Sequence, residues 1–136
     1  MVYFKHKDFY SVTDLQEIVA LLRAPGGCPW DREQTHGSIR RNFLEEAYEV
    51  AEAIDEKNPD HLKEELGDVL LQVLFHTQIE KEAVRFSLDD VADGISKKLI
   101  YRHPHVFGSG QVAGAGEVLE NWEELKRKEK GQETHS

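Results

Sequence analysis

LEEAYEVAEAID (residues 44–55) and LKEELGDVLLQVLFH (residues 62–76) decide the fold of this 136-residue chain. Around the first stretch, Ile39, Phe43, Ala47, Val50 and Ile54 recur at helical spacing behind Ser38, an expected N-cap. The second follows Asn58-Pro59, a cap with proline at the first helical position. Its helix is expected to run from Pro59 into the low eighties with Leu62, Leu66, Val69, Leu70, Val73 and Leu74 buried. A joint of only a few residues makes the two helices antiparallel neighbours.

Working outward, Thr13 and Gln16 have capping-box spacing ahead of Leu15, Ile18, Val19 and Leu22, which predicts a helix ending near Arg23. Residues 24–37, APGGCPWDREQTHG, read as a loop. Ser87 and Asp90 signal a further helix bearing Val91, Ile95 and Leu99, with Lys97, Lys98 and Arg102 near its end before Pro104. A glycine-rich loop over 103–116 and a short helix with Val118, Trp122 and Leu125 complete the chain, with residues 1–12 and 131–136 expected to fray. No strand alternation persists and no repeat is found. The expected class is all-α, a helical bundle forming a single domain over 1–136.

Charged residues make up 32% of the chain and the net charge is -9. That charge argues against binding nucleic acid or an anionic membrane surface, both of which attract positive fields. A polyanionic substrate therefore needs a metal or a local basic patch. Cys28 is the single cysteine, so no intramolecular disulfide forms, and a packed apolar role is expected for it rather than a nucleophilic one. The longest apolar run, Val69 to Phe75, is interrupted by Gln72 and far shorter than the roughly 20 residues that span a bilayer. The N-terminus shows no secretory pattern, and a cytoplasmic location is expected.

The chemistry resides in carboxylates. Glu46 with Glu49, and Glu65 with Asp68, are pairs three residues apart and so share a helix side. At about 100° per residue both pairs fall to one side of their apolar stripes, and antiparallel packing turns them toward each other in one of the two possible side-by-side orders. Four converging carboxylates repel unless a cation intervenes. Hard oxygen donors select magnesium, manganese or calcium over zinc or copper; magnesium is expected, with manganese as a substitute. Glu52 and Glu64 point farther from the stripes and read as solvated, while Glu45 is ambiguous. A di-iron site would require Glu-x-x-His on each of two helices, whereas Glu33 with His36 is the one such match.

The strings GCPWDREQTH (27–36), LEEAYEVAEAID, LKEELGDVLLQVLFH and KLIYRHPHVFG (98–108) in this order resemble MazG-type nucleotide pyrophosphohydrolases, across nearly the whole chain. The resemblance implies the all-α nucleoside triphosphate pyrophosphatase fold, assembled as a dimer or higher oligomer around magnesium. It implies that a nucleoside triphosphate and water give monophosphate and pyrophosphate. Family metal ligands carry over onto Glu46, Glu49, Glu65 and Asp68. Lys98 and Arg102 resemble the family's phosphate-binding residues, and Trp122 and Lys126 its nucleotide-contacting pair. Many members contain two such domains and this chain contains one.

Either Glu45 or Glu49 is expected to take the proton from attacking water. Lys98 and Arg102 suit phosphate neutralisation or capping of their helix C-terminus. Trp30 and Trp122 suit base stacking or packing, and Arg32 shares the loop of Trp30. His103 and His105 read as structural. Three functions compete: a pyrophosphohydrolase; a weakly active or inactive nucleotide-binding or oligomerisation domain derived from a two-domain protein; and, more distantly, a related pyrophosphatase acting on dUTP or a phosphoribosyl nucleotide. Helices this amphipathic in so short a chain point to a homodimer, with a tetramer open.

Overall fold

The computed structural model describes residues 2–109 and 114–135, with side chains to residue 131. The described residues are helical, without strands, and fall into two compact units, one ending at Leu88 and the other beginning at Asp89.

The first unit holds α1 (Val12–Arg23), α2 (Pro29–Glu33), α3 (His36–Glu56) and α4 (Pro59–Glu82). The most extensive packing is α3 on α4, and α1 packs on α4 and α2. Lys57, in the left-handed conformation, and Asn58 alone separate α3 from α4, so the chain reverses within two residues. His36 meets His76 and Glu80 at one end of the pair and Glu56 meets His61 at the other, as antiparallel helices require.

The core sits at the His36 end, where α1 covers the hairpin. Val19, Ile39, Leu74 and Phe75 are buried together, with Leu15, Leu70, Leu71, Ile79 and Leu88 packed around them. Farther along α3, Ala53 is 1% exposed and lies four residues beyond Glu49 and seven beyond Glu46, on the same helix face. There the side facing α4 has room for a methyl group.

Several local expectations are corrected. Helix α1 begins at Val12 behind Ser11, whose hydroxyl accepts the Asp14 N–H while the Asp14 carboxylate accepts the Ser11 N–H. Thr13, the expected cap, is already helical. Thr35 caps α3, and Ser38 is its reciprocal partner three residues on: Thr35 Oγ1 accepts the Ser38 N–H, and Ser38 Oγ accepts the Thr35 N–H. Within the expected loop 24–37, Pro29 opens the five-residue α2. Leu66 and Ile54, expected on buried stripes, are 49% and 56% exposed. Within the first unit, helix α1 covers the other end of the hairpin.

One arginine ties this unit together. Arg23, at the end of α1, donates to both Glu82 oxygens (2.9 and 3.0 Å) and to the carbonyls of Asp31 and Gln34 (2.6 and 3.0 Å), with its guanidinium 5.2 Å from the Phe75 ring centroid. It thereby anchors α2 to the end of α4. Before it, Gly27 passes so close to α1 that a Cβ would lie 2.2 Å from the Leu21 carbonyl oxygen. The segment before α1 also has contacts: Lys7 bonds Asp14 at 2.6 Å, and Phe4 stacks on Tyr10.

The second unit contains α5 (Leu88–Arg102, entered at its second residue), α6 (Pro104–Phe107) and α7 (Ala115–His135). Helix α5 starts directly after Ser87 and stops before Pro104, as expected. The expected loop 103–116 contains α6, and its residues 110–113 lie outside the described residues. The last helix is 21 residues long rather than short and continues to His135. Its charged positions Glu117, Glu120, Glu123, Glu124 and Lys128 alternate with Val118, Trp122 and Leu125, so one stripe sustains a long helix.

Candidate metal centre

Glu46 and Glu49 come from the middle of α3, Glu65 and Asp68 from the first half of α4. One carboxylate oxygen from each lies within 4.8 Å of the others. Of the two side-by-side orders open to the helices, the one present turns both pairs inward.

The electrostatics follow from that crowding. Glu46 Oε2 and Glu65 Oε2 are buried with no hydrogen-bond partner. Burial first, then the charges of Glu49, Asp68 and Glu65, push the Glu46 carboxyl up to about 7. The Glu49 carboxylate beside it, followed by burial, raises Glu65 as well. Orphaned buried oxygens among four acids fit a hard divalent cation, whose charge would relieve both the repulsion and the missing partners.

Glu65 has one hydrogen-bonding neighbour that sequence reasoning missed. His61, one turn earlier on α4, lies with Nε2 3.2 Å from Glu65 Oε1 and Nδ1 2.8 Å from Glu56 Oε2 on the last residue of α3. The hydrogen bond to Glu56, then the one to Glu65, holds the imidazole above its ordinary pKa. The i,i+4 spacing of His61 and Glu65 was the available signal.

Glu45 stands outside the cluster, paired with Arg41 at 3.4 Å and 60% exposed. Glu52 and Glu64 are exposed, as their angular positions require. Trp30 and Arg32 lie exposed on α2, whose end is fastened by Gln34: its side-chain amide donates to the Trp30 carbonyl at 2.8 Å. In the second unit, Arg102 forms a two-point pair with Glu129 (2.7 and 3.1 Å). Lys126 Nζ lies 4.4 Å from the Trp122 ring centroid, and the Arg102 guanidinium 5.9 Å from it. Trp122 Nε1 is buried without a partner. Lys98 is exposed on α5 and close enough to Glu129 to help hold that carboxylate below its ordinary pKa, after the larger effect of Arg102. Arg102, Trp122 and Lys126 are therefore gathered. His103 Nδ1 meets the Leu99 carbonyl at 2.6 Å, joining the end of α5 to α6.

A second cluster also went unforeseen. The Nδ1 atoms of His36 and His76 are 2.7 Å apart with the rings nearly parallel, and His36 Nε2 bonds Glu80 Oε1 at 2.6 Å. Glu80 also pairs with Arg85. Arg85, then His36, holds Glu80 down to about 2, while burial and the neighbouring His36 lower His76. These residues clamp the start of α3 to the second half of α4, 40 residues away in sequence.

Comparison with known proteins assigns the chain to a family and a fold. The family described as the MazG nucleotide pyrophosphohydrolase domain matches residues 34–107. The chain is 51% identical, over 90% of its length, to the nucleoside triphosphate pyrophosphohydrolase/pyrophosphatase MazG of Thermotoga maritima, of which that match covers 47%. It is 46% identical over 87% of its length to the nucleoside triphosphate pyrophosphohydrolase of Escherichia coli K12, covering 45% of that protein, and 50% identical to the Bacillus subtilis protein YabN, covering 25% of it. It thus spans half or less of these relatives. The crystal structure of a mazG-related protein from Thermotoga maritima superposes with a TM-score of 0.71 over 85% of this chain and 98% of that one at 24% identity, which shows a shared fold. With the family matched across more than half its length, this chain is a member of the MazG nucleotide pyrophosphohydrolase domain family.

Proposed function

We propose that the chain is a magnesium-dependent nucleoside triphosphate pyrophosphohydrolase, converting a triphosphate and water into a monophosphate and pyrophosphate. The observation that carries the reading is the convergence of Glu46, Glu49, Glu65 and Asp68, one oxygen from each within 4.8 Å of the rest. Magnesium held there, or manganese in its place, would supply Lewis acidity toward the phosphate oxygens and the attacking water. The carboxylates hold and orient that charge. Glu49, exposed at the edge of the cluster, is the better placed of the two proposed bases to accept the water's proton, because Glu45 is turned toward Arg41.

Lys98 and Arg102 are proposed to neutralise phosphate, and Trp122 with Lys126 to contact the nucleotide; the buried, unpartnered Trp122 Nε1 supports a ligand contact there. Trp30 and Arg32 are proposed as further nucleotide contacts on α2. Exposed Leu44, Tyr48, Ile54 and Leu66 on α3 and α4 support a homodimer or tetramer. The net charge of -9 supports a protein without nucleic-acid affinity, no helix among the described residues is long and apolar enough to cross a membrane, and the proposed location is the cytoplasm.

Product analysis tests the reading: the purified chain is incubated with each common ribo- and deoxyribonucleoside triphosphate, with magnesium and with chelator. Monophosphate and pyrophosphate in equal amounts, only with magnesium and lost in Asp68→Asn, are expected. Diphosphate with orthophosphate, or no turnover by folded protein, would overturn it, the latter in favour of a nucleotide-binding domain.

A further inference from the structure

The bond between His61 and Glu65 is one of two that this ring makes, and the pair spans the joint between α3 and α4. His61 stands in the first turn of α4, its backbone N–H accepted by the Asn58 side chain at 3.2 Å, so the turn that carries it is itself fixed. One ring nitrogen lies 2.8 Å from Glu56 at the end of α3, the other 3.2 Å from Glu65. Glu65 is 8% exposed, and with Oε1 turned to His61 its Oε2 is the buried oxygen without a hydrogen-bond partner. A glutamate carboxylate on three rotatable bonds has little reason to keep that pose among three other acids. A fixed donor on the opposite oxygen gives it one.

We infer that His61 is a positioning residue for the metal centre: braced by Glu56, it holds Glu65 with one oxygen occupied and the other presented to the cation. The inference rests on the proposed metal-binding role of the four carboxylates. Outer partners of this kind fix the orientation of a ligand, and their loss commonly weakens metal binding about 10- to 100-fold. Charge alone predicts the opposite sign. Removing a basic ring beside four carboxylates leaves a more negative site, which on electrostatic grounds binds a cation more tightly.

The test is manganese binding by the full chain without nucleotide, read from the electron paramagnetic resonance signal of free Mn2+, with thermal melting followed in parallel. Three substitutions separate the possibilities. His61→Gln places an amide donor near the position of Nε2 and keeps the bond to Glu65. His61→Asn places its donor near Nδ1, toward Glu56, and abandons Glu65. Both are uncharged and folding is judged by the melts, so the comparison does not depend on His61→Ala, the third variant, folding well. About tenfold weaker binding in His61→Asn and His61→Ala, with His61→Gln within about threefold of the parent chain, is expected. Equal or tighter binding in His61→Asn, or equal weakening in Gln and Asn, would overturn the positioning role while leaving the metal centre intact. A parent chain with no saturable Mn2+ site that Asp68→Asn removes would overturn the metal centre and this inference with it.

Discussion

On the proposed metal-binding role of the four-carboxylate cluster, cation uptake is expected to release protons in a number that depends steeply on pH. The perturbation is the addition of magnesium or manganese to chelator-treated protein, and the magnitude follows from Glu46, whose carboxyl is pushed up to about 7 by burial and by Glu49, Asp68 and Glu65. At pH 6 such a group is about 90% protonated and at pH 8 about 10%, so its displacement by a cation contributes about 0.9 proton per site at pH 6 and about 0.1 at pH 8. Calorimetric titrations at each pH, in buffers of differing ionisation enthalpy, measure this release directly. Glu46→Gln is expected to remove most of the pH dependence. The same shift sets the stability of the metal-free protein. Because the folded pKa lies above the usual value of 4.5, Glu46 favours the fold below about pH 4.5, and that contribution is lost as pH rises through 7. Proton release that is flat between pH 6 and 8, or unchanged in Glu46→Gln, would refute the burial and like-charge argument.

Two further outcomes rest on the rest of the first unit. Arg23→Ala strands the Asp31 and Gln34 carbonyls, the Glu82 pair and the stacking on Phe75, a combined loss of about 3 kcal/mol read as a lower urea midpoint. Arg23→Lys keeps the charge but not the fork and loses most of the same; a change under about 1 kcal/mol in Arg23→Ala counts against the anchor. Glu80, held down to about 2 by Arg85 and His36, contributes stability that is present above pH 4.5 and lost as pH falls toward 2. Melting temperatures of Glu80→Gln across that window should fall less steeply than those of the parent, and parallel curves would remove the role assigned to the pair.

Features written in short-range spacing were legible in the sequence. The Asn58-Pro59 start, the reversal within a few residues and the i,i+3 spacing of the carboxylate pairs depend on residues within one or two turns of each other, and each is present in the structure. Which side-by-side order the hairpin adopts is a tertiary choice, and angular reading alone left it open. The α3 cap was misplaced because Thr35 and Ser38 are both competent and act reciprocally, so composition does not say which one is outside the helix. Leu66 and Ile54 continue an apolar stripe yet are exposed, since periodicity reports a face and not what lies on it. His36, His76 and Glu80 belong to helix positions 40 and more residues apart, which no local pattern connects. Glu45 and Glu46 are adjacent letters about 100° apart on the helix, and that rotation separates an acid paired with Arg41 from one inside the cluster.

Ala53 gives the hairpin a gauge. A single methyl group, 1% exposed, lies on the α3 face that carries Glu46 and Glu49, one to two turns from the acids, where a larger side chain would press on its surroundings. Magnesium demands oxygens at about 2.1 Å and calcium accepts about 2.4 Å, so, on the proposed metal-binding role of the four carboxylates, side-chain bulk at this position is expected to bear on the choice between ions of the same charge. A valine there would widen the cradle and tilt its preference toward the larger ion.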